Sequence, residues 1–164
     1  MGRYRAGLRA FLTSASPRTD FGKSSTSVWF ALLSDRGRNL AESARTFLLV
    51  FGIVAGLAFA LPIFLAPLTW ARVFRWNLPQ DTDLAIYFGR CLGVLAVVLT
   101  GFVVRAGFTG DGVEQMFQIM IPVFVGMTVV HIVGAVQRIQ PVTETIEIAF
   151  WAGLILLGLL FYPG

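Results

Sequence analysis

Residues 46–70 read TFLLVFGIVAGLAFALPIFLAPLTW, a run without a single charged side chain. As an α-helix it would extend about 37 Å at ~1.5 Å per residue, enough to cross a hydrocarbon core of about 30 Å. Pro62 and Pro67 fall in its last third and predict a kink or an early end there. Trp70 and Trp76, with Arg72 and Arg75 between them, mark a membrane–water interface just beyond.

Three more apolar stretches follow. One spans about 84–105, opened by Asp81-Thr82-Asp83 and closed by Arg105, a charge order that suits the helix dipole. The next covers about 113–136, after the turn Thr109-Gly110-Asp111-Gly112, with Pro122 inside it. The last covers about 142–161 and enters through Gln140-Pro141. Short connections make consecutive helices antiparallel neighbours. The expected fold is therefore all-α: an integral membrane four-helix bundle over 45–164, preceded by a basic arm over 1–44.

Composition agrees. Of 164 residues 56% are hydrophobic and only 13% charged, about half the charge of an ordinary soluble domain. The net charge of +4 is not a nucleic-acid signature, because the basic residues are distributed by topology. Arg3, Arg5, Arg9, Arg18, Lys23, Arg36, Arg38, Arg45 and Arg105 fall on one side of the membrane, and only Arg72, Arg75 and Arg138 on the other. The positive-inside rule then puts both termini in the cytoplasm. Within the arm, two short amphipathic pieces include Tyr4, Leu8, Phe11 and Leu12, then Val28, Trp29, Phe30, Leu32 and Leu33. Arg3, Arg5, Arg9, Trp29 and Phe30 are the residues expected to dock on lipid or on a partner. A solvated, disordered arm fits the same composition.

The topology brings four ionisable residues to one depth on the outer side. Arg90 lies about 9 Å into the second span and His131 about 7–8 Å from the end of the third. Glu144 and Glu147 occupy the first turns of the fourth. Charge at depth is costly and calls for partners, so Arg90 is expected to pair with Glu147, with His131 as third member. Thr128, His131, Ala135 and Arg138 form one helical stripe expected to face the bundle. Two readings stay open for this cluster: a buried ion pair that fixes helix register, or a site for a lipid headgroup, quinone or anion. A third makes His131 the axial ligand of a chlorophyll-type pigment or a haem, with Gly126 and Gly134 leaving room for the ring. A bis-histidine haem would need a second histidine, and the chain has one.

Other motifs are sparse. Cys91 is the only cysteine, which excludes an internal disulfide and a thiolate zinc site, and no metal site is expected. Gly52-x-x-x-Gly56 and Gly89-x-x-x-Gly93 are small-residue pairs that admit close helix approach. No phosphate-binding glycine loop, HExxH, CxxC or serine nucleophile with a neighbouring base is present, so no enzymatic activity is expected.

Phe88-Gly89-Arg90-Cys91-Leu92-Gly93 at the start of the second span, with the Pro-then-Trp end of the first, resembles the small four-span DoxX-like bacterial inner-membrane proteins. The resemblance covers residues 46–162 and implies the same four-span fold. The leading functional expectation is a non-catalytic accessory subunit of a larger bioenergetic membrane complex, photosynthetic or respiratory. Its partners would be other membrane subunits and lipid, and no nucleic acid.

Overall fold

The structure, a computed structural model, describes residues 21–163, with the side chains of 28, 29 and those from 32 onward. All regular structure among the described residues is helical. The elements are α1 (Phe21–Ala55), a π-turn (Gly56–Ala60), α2 (Leu61–Leu65), α3 (Pro67–Val73), α4 (Asp83–Thr109), α5 (Val113–Gln137) and α6 (Val142–Leu160). Four segments are long and apolar enough to span a bilayer: Leu32–Leu65, Asp83–Thr109, Val113–Gln137 and Val142–Leu160. This is the build of an integral membrane protein.

Two compact units divide after Gly37. The first contributes helix from Phe21 onward, with Val28, Trp29, Leu32 and Leu33 exposed. The helix thus starts well before Thr46, where the apolar run begins, and residues 21–44 are helical rather than a loose arm. Hydropathy marks where a helix meets hydrocarbon, not where it begins, and Ala31, Leu32, Leu33, Leu40, Ala41 and Glu42 are good helix formers in water. Arg3, Arg5, Arg9 and the first amphipathic piece lie outside the described residues, as does the side chain of Phe30.

Within Arg38–Gly164, the prolines shape the first span as anticipated. Pro62 supplies no N–H, and the backbone widens just before it: the Leu61 N–H reaches back to the Gly56 carbonyl. Ala66 leaves helical conformation altogether (φ −142°, ψ 63°), as a residue preceding proline tends to do, and Pro67 then opens α3 at its first turn. Arg75 ends α3 in the left-handed region (φ 63°). Its N–H bonds to the Arg72 carbonyl and the Trp76 N–H to the Ala71 carbonyl, closing a Schellman turn. Arg138 (φ 56°) ends α5 in the same way, with Arg138 N–H on Ala135 and Ile139 N–H on Gly134.

A seam of small residues joins α4 to the first span. A Cβ on Gly52 would come within 2.8 Å of Val104, and one on Gly56 would rest at 3.5 Å from Thr100. A Cβ on Gly93 would fall on the Phe64 backbone, and one on Gly89 would meet Pro67 at 2.5 Å. As the number on one side rises the other falls in step, which is an antiparallel register held along nearly the whole bilayer. Gly107 continues it, close to the Arg45 carbonyl. Arg45 Nε and Nη2 in turn donate to the carbonyls of Gly107 and Phe108, at 3.1 and 2.8 Å, capping the end of α4. The core beside this seam is Ala44, Leu48, Val103, Ala106, Phe117, Met120, Phe124 and Leu154. Phe47 stacks on Phe51, Phe117 and Phe161, and Phe124 carries the aromatic column on to Trp151.

Gly93→Ala should therefore be costly, because backbone rather than a movable side chain occupies the space, and overpacking of that kind costs about 1–3 kcal/mol. Gly101→Ala, with nothing within 4 Å, should leave stability unchanged or raise it by up to about 1 kcal/mol through helix propensity. Unfolding curves of the two variants in mixed micelles compare them directly, and equal stability would refute the seam.

Candidate functional site

The inward stripe of α5 runs through Phe117, Met120, Phe124 and His131 at helical spacing, all buried. His131 is the last of these before Gly134, one turn from the end of the helix. Its face is met by the first two turns of α6, where Glu144 and Glu147 stand three residues apart and so project from one side. His131 Nε2 lies 3.1 Å from Glu144 Oε2 and 3.3 Å from Glu147 Oε2. His131 and Glu144 are buried, and the Glu147 side chain is 14% exposed.

His131 and Glu144 are each held from behind. His131 Nδ1 sits 2.7 Å from the Met127 carbonyl, which can only accept, so Nδ1 carries the proton and donates it. Nε2 is then the atom offered to the carboxylates. Trp76 Nε1 donates to Glu144 Oε1 at 2.7 Å, fixing that carboxylate from the 74–82 connector. Thr143 Oγ1 donates to the Phe74 carbonyl at 2.5 Å and pins the same connector to the start of α6. Gln140 Nε2 donates to the His131 carbonyl (3.0 Å) and to Thr145 Oγ1 (3.2 Å), closing the turn between α5 and α6. Trp151, one turn beyond Glu147, stands 6.1 Å from the imidazole, ring to ring. Glu147 Oε1 and Trp151 Nε1 are buried and have no partner within strict hydrogen-bond distance.

The structure brings together three of the four ionisable residues expected at this depth and leaves out the fourth. Arg90 is exposed and faces a shallow groove with Phe64, Asp83, Ile86, Tyr87, Cys91 and Val94. The expected Arg90–Glu147 pair does not form, and His131 is the partner of Glu147 instead. The reason lies in α4 itself. Gly89 and Gly93 must face Pro67 and Phe64, and Arg90, about 100° further round the helix, is turned off that seam. Its long side chain suits an outward position where the charge reaches the interface.

Pigment ligation by His131 also meets this geometry. Nε2 is enclosed by two carboxylates, Gly134 is covered by the Gln140 side chain, and Gly126 lies on the exposed face of α5. A macrocycle has no open face of the imidazole to occupy. Of the anticipated stripe, Thr128 and Ala135 are half-buried while Arg138 is exposed. Trp76, Gln140 and Trp151 join the site only in the structure. The spacing Glu144, Glu147, Trp151 was the available signal, since all three share one helix face.

The arrangement is an acidic, nitrogen-containing centre inside the membrane-spanning part of the protein. One imidazole can carry at most one positive charge against two carboxylates, so the centre favours cations over anions. Removing one partner of a buried charged set costs about 3–5 kcal/mol because the others stay uncompensated, and a hydrogen bond to a charged group contributes about 1.5–3 kcal/mol. His131→Ala should accordingly destabilise the bundle more than Trp76→Phe, by unfolding midpoint in micelles. A silent His131→Ala would mean that the contacts carry no energy. Comparison with protein-family models, with curated proteins and with solved structures finds no match to this chain.

Proposed function

We propose that this chain is a cation-binding integral membrane protein without catalytic chemistry of its own, and that His131, Glu144 and Glu147 form its binding centre. The observation that carries this reading is one buried and one partly buried carboxylate set against a single buried imidazole within the span of α5 and α6. Burying that charge without a compensating cation is expensive in a bilayer. An anion, a phosphate headgroup included, would add to the imbalance, and Arg90 is directed elsewhere. The ligand enters from the end of the bundle that carries the 74–82 connector. The distribution of Lys and Arg favours placing that end on the side opposite the cytoplasm, with both termini cytoplasmic.

A ligand at a hundred times its dissociation constant stabilises the folded state by about 2.7 kcal/mol, which corresponds to a rise in melting temperature of roughly 5–10 °C for a chain this size. Screening the detergent-purified protein against Na⁺, K⁺, Ca²⁺, Mn²⁺, Zn²⁺ and small organic ammonium ions should find at least one that gives a saturable rise, absent in Glu147→Gln. No response to any cation would refute the reading.

A second reading, an accessory subunit of a larger bioenergetic complex, draws on a different observation. Within the most apolar window of each span only 17–22% of residues are buried by the chain itself, so most of every helix surface is apolar and open to lipid or to other subunits. In the first unit, Trp29, Leu32 and Leu33 are exposed as well. Extraction from the native membrane in mild detergent should then give an assembly far larger than 18.0 kDa plus its micelle, with partners in fixed ratio. A chain that runs alone would remove this reading and leave the first intact.

A further inference from the structure

We infer that the cation is a first-row divalent transition metal, with His131 Nε2, Glu144 Oε2 and Glu147 Oε2 as its three protein ligands. This rests on the cation-binding reading and narrows it by three features of the geometry.

Spacing comes first. The three ligand atoms all lie within 4.8 Å of one another, and Nε2 stands 3.1 and 3.3 Å from the two oxygens. For metal–ligand bonds of about 2.1 Å, ligand atoms are about 3.0 Å apart at a right angle and about 3.4 Å apart at the tetrahedral angle. The two nitrogen–oxygen separations therefore match edges of a coordination polyhedron around an ion such as Zn²⁺, Mn²⁺ or Fe²⁺, and the oxygen–oxygen edge, which two bonds of about 2.1 Å limit to about 4.2 Å, is the one the ion would have to draw in. Calcium takes six to eight oxygens at about 2.3–2.6 Å, and an imidazole with few oxygens does not suit it.

Support from behind the ligands comes second. Ligating histidines characteristically donate their other ring N–H to a carbonyl or carboxylate, which fixes the tautomer that offers a lone pair to the metal. His131 does this through Nδ1 and the Met127 carbonyl at 2.7 Å. Glu144 is held in the same manner, its far oxygen accepting from Trp76 Nε1 at 2.7 Å, which leaves Oε2 free to point at the centre.

The third feature is unused capacity. Glu147 Oε1 is buried and has no partner within strict hydrogen-bond distance, the Trp151 indole N–H being the donor set against this carboxylate. A carboxylate that binds an ion through both oxygens uses that atom, whereas the ion pair with His131 alone leaves it only the indole. Three protein ligands also leave positions for water or an incoming ligand, as in open rather than closed metal sites.

Because His131 is the chain's only histidine, an imidazole–metal signal has one possible source. Full-length protein, purified in detergent through a tag without histidine and stripped with chelator, should bind one Co²⁺ per chain. Binding should be seen as visible d–d absorption and reversed by Zn²⁺. Glu147→Gln and His131→Ala should each weaken it at least 100-fold, and Trp76→Phe, which touches only the support of Glu144, about 10-fold. Glu144→Gln, nearly isosteric, keeps the test valid if His131→Ala fails to fold.

No saturable Co²⁺ or Zn²⁺ binding, or binding undiminished in Glu147→Gln, overturns the assignment. If Na⁺, Ca²⁺ or an organic ammonium ion raises the melting temperature while Co²⁺ and Zn²⁺ do not, the metal falls and the cation-binding reading survives. If no cation acts, both fall.

Discussion

Inside a bilayer a polar group has no water to fall back on, so each one must find its partner within the protein or reach for the interface. That constraint organises this chain at every scale. Backbone amides meet it by forming four spanning helices. Where Pro62 removes a donor, the helix widens into a π-turn rather than leaving the ladder open. Side-chain hydroxyls meet it by bonding back to their own helix, as Thr100 does to Ala96 and Thr128 to Phe124. The ionisable groups divide between the two solutions. Arg90 reaches outward, while His131, Glu144 and Glu147 turn inward and find one another.

Much of this was legible before any coordinates. Uninterrupted apolar runs name the spans because only a helix of about twenty such residues satisfies its backbone across hydrocarbon, and the observed helices end within a few residues of the expected limits from α4 onward. The prolines announced the break in the first span. The onset of α1 was not legible, since helix propensity in a polar segment leaves no hydropathic mark and Phe21–Arg45 reads equally as arm or helix.

The site was half legible for a related reason. Depth along a helix follows from counting residues, and counting placed Arg90, His131, Glu144 and Glu147 at one level. Direction around a helix follows from what each face packs against, and for α4 that was decided by Gly89 and Gly93. Reading those glycines as the contact face, and stepping about 100° on to residue 90, would have excluded Arg90 from the cluster. The glycine pairs and the arginine form one motif, since each fixes the meaning of the other.

The support of Glu144 shows how far from a site its determinants can sit. Trp76 reaches the carboxylate only because the chain doubles back after α3, and that reversal depends on Arg75 adopting a left-handed conformation that a residue with a Cβ enters at some cost. The start of α3 is set in turn by Ala66 and Pro67, and α3 is held against α4 where Pro67 meets Gly89. A proline, a glycine and a strained arginine, none of them charged toward the centre, thus fix the one indole that orients a buried carboxylate. In a bundle with so little polar material, a donor at the right depth is scarce, and the tryptophan of the connector offers one to Glu144 without bringing a charge of its own. The same aromatic belt that anchors the protein at the membrane surface therefore supplies the hydrogen bond that completes its interior.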